Sequence, residues 1–592
     1  MPSRPLLDPA FRSGDFSIDD YRPMKVICIG AGVSGILAGI RFRQKITNLD
    51  LIIYEKEKGI GGTWFVNRYP GLACDIPSHS YQYSFEPNTQ WSSFYAPGPE
   101  ILRYLERVVD KYRLKKYIRH QHELVYARWD AAAAKWRVRI KKHNPVDGEA
   151  AEFEDTADVL FLGVGLLSRW RWPEIEGLRN FKGLVIHSAQ WNLSEGSWED
   201  DVKDWANMNV GVVGNGSTGI QIVAALQPRV GHLTNFVRNK TWLSTSFSSA
   251  KLLELLNRSP DSIDYSFDDK AKEMFNDSTY YKAFRLAIEG DANSVASVAL
   301  KGSALQKAAT ELFRAQMLKK LSRKPELASL MIPDFSVACR RLTPGPGYLE
   351  ALCEPNATLE PTPIKRVTSD GVDLADGRHT PLDVLICATG FDTSFRYPFD
   401  VVGRDGLLLS DRWAPHAEAY LSVAVDGFPN LFFSTGPNSG LNSGSFIVFI
   451  ERAVEFATAA ILKLQRERYG SIEPTTYAVR DFMEYTNSFF EKTVYVEGCH
   501  NWYRSADGWV SGLWPGSCLH VCRALSHPRW EDFALEPLDK TRNRFFWLGD
   551  GQTENEKIEG ANRAWYLNNV DIPPGMSPLS ELKMAINVTR VS

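Results

Sequence analysis

The chain has 592 residues, which corresponds to about four domain equivalents at roughly 150 residues each. Hydrophobic residues make up 44% and charged residues 23%, ordinary values for globular proteins that exclude disordered and fibrous classes. The formal net charge is −3, from 68 basic and 71 acidic residues. No field of one sign is therefore available to attract a nucleic acid, and we expect no nucleic-acid partner.

Targeting and membrane segments are not expected. Residues 1–23 lack the apolar core of a signal peptide, and no run of about 18 uncharged apolar residues indicates a transmembrane helix. The best candidate, 445–464, contains four charged residues and predicts a buried or half-buried helix. We therefore expect a cytoplasmic protein without a membrane span.

The cysteine content argues against a disulfide framework. Eight cysteines are few for a chain of this length. Cys518 and Cys522 bracket His520, but this spacing is not the CxxC of a zinc site and no second pair lies nearby. Structural thiols are the prediction, a metal site is the alternative, and we expect no metal.

The first chain segment with a recognisable pattern is a dinucleotide loop. The apolar run 24–29 predicts a strand that leads into Gly30, Gly32 and Gly35 and then into a helix. A second apolar strand follows and ends in Glu55. In this pattern the glycines let the backbone approach a pyrophosphate, the helix N-terminus attracts its charge, and the acid binds a ribose hydroxyl. The order strand, GxGxxG, helix, strand and acid predicts an FAD-like site.

A second copy of this pattern begins at the strand predicted over 210–213. Its loop residues are Gly214, Gly216, Ser217, Thr218 and Gly219. The next strand ends at Arg238 and Lys240 instead of an acid, and basic side chains there suit the 2′-phosphate of NADP. A basic pair at a strand end on the surface is the alternative. The sequence therefore predicts an NADPH-like site after the FAD-like one.

The fold class predicted is α/β, with two Rossmann-like domains for FAD and NADP and a helical insertion in the NADP domain. Helical spacing of charged and apolar residues over 246–335 indicates the insertion. The predicted divisions are an N-terminal arm (1–23), FAD-binding residues (24–172 and 379–555), NADP-binding residues (173–245 and 336–378), the insertion (246–335) and a C-terminal tail (556–592).

Two longer motifs narrow the chemistry. Phe181, Gly183, His187 and Trp191 fit FxGxxxHxxxW, and residues 61–75 fit [AG]GxWxxxx[FY]P[GM]xxxD in full. With these motifs, residues 24 to about 535 resemble the type I Baeyer–Villiger monooxygenases. Two further segments, 513–517 and 528–532, resemble fungal members of that family.

The resemblance implies a mechanism. NADPH would reduce FAD, the reduced flavin would add O2 as a C4a-peroxyflavin, and attack on a ketone would give an ester or lactone. Such a reaction needs a cation beside the developing negative charge. The family's arginine matches Arg341, its orienting aspartate matches Asp75, and Arg340 would bind the 2′-phosphate beside Arg238. The alternatives are that the arginines only hold a domain interface and that Asp75 is a loop cap.

The resemblance also implies the remaining cofactor contacts. His187 and Trp191 would couple domain motion, with a general-base histidine as the alternative. Flavin contacts are expected at Gly62, Thr63, Trp64, Asp75, Ile76, Tyr81, Leu124 and Phe446. Further NADP contacts are expected at Gln221 and Trp502.

The substrate expected from the resemblance is a bulky apolar ketone, polyketide- or terpenoid-like, bound near the loop 441–446. The chain departs from the family pattern at Ala73, Asn192 and Asn239. A related flavin monooxygenase that oxygenates nitrogen or sulfur, or hydroxylates, is the first alternative. A catalytically silent nucleotide-binding or redox-sensing protein is the second. The sequence predicts no oligomeric state.

Overall fold

The computed structural model describes residues 11–143, 150–194, 196–259, 262, 264–539 and 543–564. The strands are β1 (Met24–Ile29), β2 (Leu49–Tyr54), β3 (Ile118–Arg119), β4 (His122–Asp130), β5 (Lys135–His143), β6 (Ala150–Ala157), β7 (Val159–Leu162), β8 (Leu184–His187), β9 (Asn209–Val213), β10 (His232–Phe236), β11 (Ala357–Glu360), β12 (Ile364–Val367), β13 (Gly371–Leu374), β14 (His379–Pro381), β15 (Val384–Cys387), β16 (Asp400–Val402), β17 (Leu431–Phe433), β18 (Tyr469–Pro474) and β19 (Phe533–Pro537).

The α-helices alternate with these strands or follow them in groups. They are α1 (Val33–Lys45), α2 (Thr63–Val66), α3 (Gly98–Lys111), α4 (Trp198–Asp201), α5 (Ser217–Leu226), α6 (Ser249–Leu255), α7 (Asp269–Met274), α8 (Ser278–Ser294), α9 (Ala304–Lys320), α10 (Leu327–Met331), α11 (Tyr348–Leu352), α12 (Leu409–Arg412), α13 (Phe446–Arg466), α14 (Thr476–Phe490), α15 (Cys518–Ala524) and α16 (Glu554–Lys557).

The first sheet consists of five parallel strands in the order β17-β7-β1-β2-β3. Its central strand β1 is apolar except for Lys25 near its start, because both faces of the sheet are covered. Helices α1 and α13 pack on one face. On the other face, Ile27 and Leu160 contact a core that includes Leu124 and Trp136 of the four-stranded sheet β16-β4-β5-β6.

The second sheet has the parallel order β11-β10-β9-β15-β8. Helices α5 and α11 pack against it through residues such as Ile222 and Leu349. A three-stranded antiparallel sheet, β12-β13-β14, shares a small core with it around Phe181 and Leu385. The two parallel sheets each carry one of the glycine loops, as the sequence predicts.

The segment between β10 and α11 is helical, in agreement with the predicted insertion, and its described residues contain α6 to α10. Phe275 and Phe284 of this segment belong to the core of the first sheet, whereas Phe313 and Met331 belong to the core of the second. The insertion therefore packs against both nucleotide-binding units. The domain boundaries themselves stay a prediction.

The polar segment after residue 537 contacts the N-terminal arm. The ring of Phe546 packs edge-on against Phe16 at 5.5 Å, and the backbone N–H of Asp550 donates to the carbonyl of Phe16 at 2.9 Å. Helix α13 covers the best membrane candidate of the sequence, and its inner face is buried in the first core. Within the described part of the chain, every helix is too short or too polar to span a bilayer.

Candidate active site

The first glycine loop has the shape that a dinucleotide pyrophosphate requires. Gly30 has a φ of +98°, and a Cβ on it would lie 2.7 Å from the carbonyl oxygen of Gly163. A Cβ on Gly35 would lie 1.9 Å from the carbonyl oxygen of Gly30, so the turn can form only with glycine at position 35. Among the described residues no side chain caps α1, which starts after Gly32, so its first N–H groups remain for a phosphate.

Glu55 lies at the carboxyl end of β2, against this loop. Its Oε2 accepts from the backbone N–H of Ala31 at 2.6 Å and its Oε1 accepts from that of Glu57 at 2.9 Å. Burial raises the pKa of this carboxyl above its usual range. A carboxylate oxygen has more than one lone pair, so Glu55 keeps acceptor capacity for a ribose hydroxyl. The loop and Glu55 together fit an FAD.

The second glycine loop repeats this geometry between β9 and α5. Gly214 has a φ of +113°, and a Cβ on Gly219 would lie 2.4 Å from the carbonyl oxygen of Gly214. Gly216 faces open space, with nothing within 4 Å of an added Cβ. The hydroxyl of Ser217 pairs with that of Thr343 at 3.0 Å. The loop therefore fits a second dinucleotide phosphate.

Basic side chains gather at the end of β10. Arg340 donates from Nη1 to the carbonyl oxygen of Lys240 at 2.8 Å, and burial lowers the pKa of this arginine. Lys240 contacts Asp334 at 3.3 Å, and Arg238 is exposed two residues before it. Arg340, distant in sequence, thus comes to the strand end where Arg238 and Lys240 lie, as expected of a 2′-phosphate site.

The predicted flavin loop lies beside the first glycine loop. Gly62 has a φ of +56°, and a Cβ on it would lie 3.1 Å from the Cα of Gly32. Thr63 begins α2, and the indole N–H of Trp64 donates to the hydroxyl of Tyr81 at 3.2 Å. These contacts bring the motif residues to the phosphate loop of the first site.

Asp75 and Arg341 form the ion pair that the sequence predicts. Arg341 donates from Nη2 to both carboxylate oxygens of Asp75, at 2.9 and 2.7 Å. The side chain of Arg341 is 40% exposed and that of Asp75 is 19% exposed, so the pair lies at an accessible surface. The charge of Asp75 raises the pKa of Arg341, which therefore stays cationic.

Gln221 makes two contacts that the sequence did not predict. Its Oε1 accepts from the hydroxyl of Tyr69 at 2.9 Å, and its Nε2 donates to the carbonyl of Ala73 at 3.0 Å. Burial raises the pKa of Tyr69 to about 12, so it remains a donor. The amide of Gln221 thus joins α5 of the second unit to the flavin loop of the first, and its predicted NADP contact stays a prediction.

The remaining predicted contacts are not gathered in one place, and their cofactor contacts stay predictions. Phe446 begins α13, with its ring stacked on that of Phe449 at 5.9 Å. Ile76 packs on the first core, and the side chain of Leu124 is buried between the first sheet and the four-stranded sheet. Trp502 packs against Tyr503 at 4.5 Å.

His187 lies in an aromatic setting at the end of β8. Its ring stacks on Trp170 at 4.4 Å, and its Nδ1 accepts from the N–H of Ala189 at 3.2 Å. Burial lowers the pKa of His187 to about 4, so the ring is neutral at physiological pH. The indole of Trp191 donates to Asp201 at 2.9 Å. The role of His187 and Trp191 in coupling domain motion stays a prediction.

Two functional features were missed. Cys339 and Cys499 form a disulfide, although 160 residues separate them. Tyr503 lies in the electrostatic surroundings of Arg340 and Arg341, and burial raises its pKa. The low cysteine count gave no signal for the pairing. The NADP contact expected at the neighbouring Trp502 was the available signal for Tyr503.

The comparisons with known proteins agree with this geometry. A family model for an NAD(P)-binding Rossmann-like domain matches residues 28–97. The FAD-binding monooxygenase tazF of Aspergillus terreus is 36% identical over 553 residues, 92% of this chain and 95% of the relative. A Baeyer-Villiger monooxygenase of Pseudomonas aeruginosa is 32% identical over 501 residues, 84% of this chain and 88% of the relative. The chain belongs to the Baeyer–Villiger family of flavin monooxygenases.

Solved structures of this family have the same architecture. A cyclohexanone monooxygenase from Rhodococcus sp. Phi1 bound to NADP+ has a TM-score of 0.72 and 27% identity, over 87% of this chain and 100% of that one. A steroid monooxygenase bound to NADP has a TM-score of 0.71 and the same identity and coverage. The predicted family, fold class and enzyme class are confirmed. The tazF relative is described as FAD-binding, and the two solved structures are described as bound to NADP. FAD and NADP are the cofactors predicted from the sequence.

Proposed function

We propose that this Baeyer–Villiger enzyme uses FAD, NADPH and O2 to insert one oxygen atom beside the carbonyl of a bulky apolar ketone, which gives an ester or lactone. The observation that carries the proposal is the ion pair of Arg341 and Asp75. It lies where the flavin loop meets the segment that follows the helical insertion, close to both glycine-loop units.

FAD, when bound, supplies the activation of O2 with electrons taken from NADPH. Oxygen insertion places negative charge first on the attacking oxygen and then on the former carbonyl oxygen. The guanidinium of Arg341 provides a fixed cation for that charge, and a preorganised charge lowers a barrier more than one that must reorient. Asp75 holds the guanidinium in place and preserves its protonation.

The two nucleotides would be held by different residues. The loop Gly30–Gly35 and Glu55 would bind FAD, and Gly62, Thr63 and Trp64 extend this site. The loop of α5, with Arg238, Lys240 and Arg340, would bind NADPH through its diphosphate and its 2′-phosphate. Since Gln221 ties α5 to the flavin loop, the two nucleotide units stay in contact at this point.

Apolar side chains near the start of α13 support this substrate class. The half-buried Phe446 stacks in parallel on the buried Phe449, and the half-buried Leu441 packs at the edge of the same core. Half-buried apolar side chains at this place favour an uncharged ketone with a large apolar body. A polyketide- or terpenoid-like ketone has this character.

The test uses the purified holoenzyme with NADPH and heavy-isotope O2. Bulky cyclic ketones are compared with an amine and a sulfide of similar size, and products are analysed by mass spectrometry. One heavy oxygen atom in an ester or lactone is the expected result. Oxygenation of the amine or sulfide without ester formation would instead favour the related monooxygenase class, and a protein that binds no flavin would exclude both.

A further inference from the structure

Arg341 lies on a segment that belongs to neither a helix nor a strand. Residues 332–347 connect α10 to α11, and within this described stretch there is neither helix nor strand. Backbone without a ladder of hydrogen bonds opens at low free-energy cost. A cation that must stand at one place beside the reacting atoms therefore needs another restraint than secondary structure.

A covalent bond supplies the first restraint. Cys339, two residues before Arg341, is bonded to Cys499, with the two Cα atoms 6.3 Å apart. Cys339 is completely buried and Cys499 is 6% exposed. The bond joins the arginine segment to the segment that continues into Trp502 and Tyr503.

A buried amide supplies the second restraint. Asn501 is 9% exposed, and its Nδ2 donates to the carbonyl oxygen of Cys339 at 3.1 Å and lies 3.5 Å from Sγ of Cys499. Its Oδ1 accepts from the backbone N–H of Tyr503 at 3.0 Å. One side chain thus links both ends of the disulfide to the Tyr503 backbone.

Glu497 adds a further contact between the two segments. The side-chain carboxylate of Glu497 accepts from the hydroxyl of Ser336 at 2.9 Å. The backbone carbonyl oxygen of Glu497 accepts from Nη1 of Arg504 at 3.0 Å. The contact between Glu497 and Ser336 therefore joins the two segments at a second place, on the N-terminal side of the disulfide.

We propose that Cys339, Cys499 and Asn501 are positioning residues that clamp the Arg340–Arg341 segment to the Trp502–Tyr503 segment, so that oxygen insertion is coupled to NADPH oxidation only while the disulfide is intact. The role given to Arg341 rests on the proposed function. The clamp itself concerns the conformational order of the two segments. That order can be measured without turnover.

The bond can be opened by a dithiol. Two thiol groups of the reagent supply two electrons and two protons, the Sγ–Sγ bond breaks, and Cys339 and Cys499 become thiols while the reagent becomes its cyclic disulfide. Because both sulfur atoms are buried, the reaction requires local opening at Cys499. We therefore expect reduction of the native holoenzyme to be slower than that of the denatured chain.

Thiol counting tests whether the bond forms. The holoenzyme is treated with oxidised dithiol, denatured and alkylated without reductant, and its peptides are analysed by mass spectrometry. We expect six alkylated cysteines and one crosslinked pair, Cys339 with Cys499. Alkylation of all eight cysteines would overturn the proposal.

Hydrogen exchange tests the clamp. The oxidised holoenzyme, the dithiol-reduced holoenzyme and the Cys339→Ala/Cys499→Ala variant are compared over 336–342 and 494–504. Faster exchange of both segments in the last two samples is expected, with recovery after reoxidation of the wild type. Cys353→Ala, at a buried free cysteine that follows α11, is the matched control: it should keep the slow exchange when oxidised and show the same acceleration by dithiol as the wild type. Unchanged exchange after reduction would overturn the clamp.

The coupling of ester formation to NADPH oxidation tests the consequence of the clamp. The ratio of ester formed to NADPH oxidised should fall at least about three-fold on reduction, because misplacement of a reacting group by a fraction of an ångström costs rate at the insertion step. Asn501→Ala should lower the ratio in the same direction, and so should Asn501→Asp, which keeps the acceptor for the Tyr503 N–H but loses the donor to the carbonyl of Cys339. A ratio equal in the two redox states would overturn the coupling role. If neither the oxidised nor the reduced holoenzyme forms ester, the proposed function fails. The hydrogen-exchange data still show whether the clamp exists.

Discussion

Arg341 donates from a single nitrogen to both carboxylate oxygens of Asp75, at 2.9 and 2.7 Å, across 266 residues of sequence. Asp75 follows the flavin loop, whereas Arg341 follows the helical insertion. The pair therefore forms only when the two nucleotide-binding units are assembled. This links the order of the active site to the packing of the units, which Gln221 supports from α5.

Replacement of Arg341 by alanine removes the cation at this place. We expect Arg341→Ala to retain NADPH-dependent flavin reduction and to lose ester formation by about 10²- to 10³-fold, the size typical for a lost charge-stabilising donor. Stopped-flow absorbance of the flavin and product analysis measure the two steps separately. Arg341→Lys, which keeps the charge without the guanidinium geometry, should retain more activity than alanine. Ester formation at the wild-type rate in the alanine variant would contradict the assignment.

Replacement of Asp75 by asparagine keeps the shape and removes the charge. We expect Asp75→Asn to lower kcat for ester formation by about ten-fold with little change in KM for NADPH, because the guanidinium loses its orienting carboxylate. Asp130→Asn breaks a surface ion pair with Arg137 at 2.8 Å and serves as the matched control. An equal effect of the two substitutions would show that Asp75 has only a structural role.

The sequence predicted the strands and loops that depend on residues close together in the chain. Strand β1 has the predicted bounds because buried parallel strands are short apolar runs. Pairs such as Asp75 with Arg341 were available only through the family motif, since contact across hundreds of residues depends on packing. Cys339 and Cys499 lie outside any motif, and nothing in their spacing indicates a bond. The antiparallel sheet with β4 and β5 was missed because neither glycine loops nor motifs mark it.

Two glycines allow the nucleotide sites to be tested separately. A Cβ at Gly35 would lie 1.9 Å from a carbonyl oxygen, so Gly35→Ala should yield protein without flavin. Gly219→Ala, with a separation of 2.4 Å in the second loop, should keep flavin but lose its reduction by NADPH. Gly290→Ala in α8, where an added Cβ meets nothing within 4 Å, is the control. The flavin absorbance of the purified proteins gives the answer, and normal flavin content in Gly35→Ala would contradict the assignment of the first site.

We expect Arg340 to set the preference for NADPH over NADH. Arg340→Ala should raise KM for NADPH by about 10- to 100-fold, as expected for a lost charge-assisted hydrogen bond, with little change in KM for NADH. Arg238→Ala should act in the same direction. Arg366→Ala, an exposed arginine paired with Asp373 at 2.7 Å, is the control. Steady-state kinetics with both coenzymes measure the effect, and an equal loss with NADH would indicate a structural cause.

His79 makes stability depend on pH. Its ring is fully buried, and neither ring nitrogen has a hydrogen-bond partner among the described residues. The surrounding rings, at 5.0 to 5.6 Å, are Phe267, Phe275, Tyr281 and Phe284. Burial lowers the pKa of His79 from the usual 6.5 to about 3. Between these values the unfolded chain binds a proton that the folded protein does not, so acidification destabilises the fold.

The contribution of this histidine to the unfolding free energy should fall by about 2 kcal/mol between pH 7 and pH 5, since each pH unit below 6.5 costs about 1.4 kcal/mol. We expect His79→Phe, which fills the same aromatic site without a titrating group, to show a smaller decrease in melting temperature over this range than the wild type. His527→Phe, at an exposed histidine, should melt as the wild type does. Melting curves of the holoenzyme at the two pH values measure the difference. An identical decrease in His79→Phe and wild type would show that other groups cause the acid sensitivity.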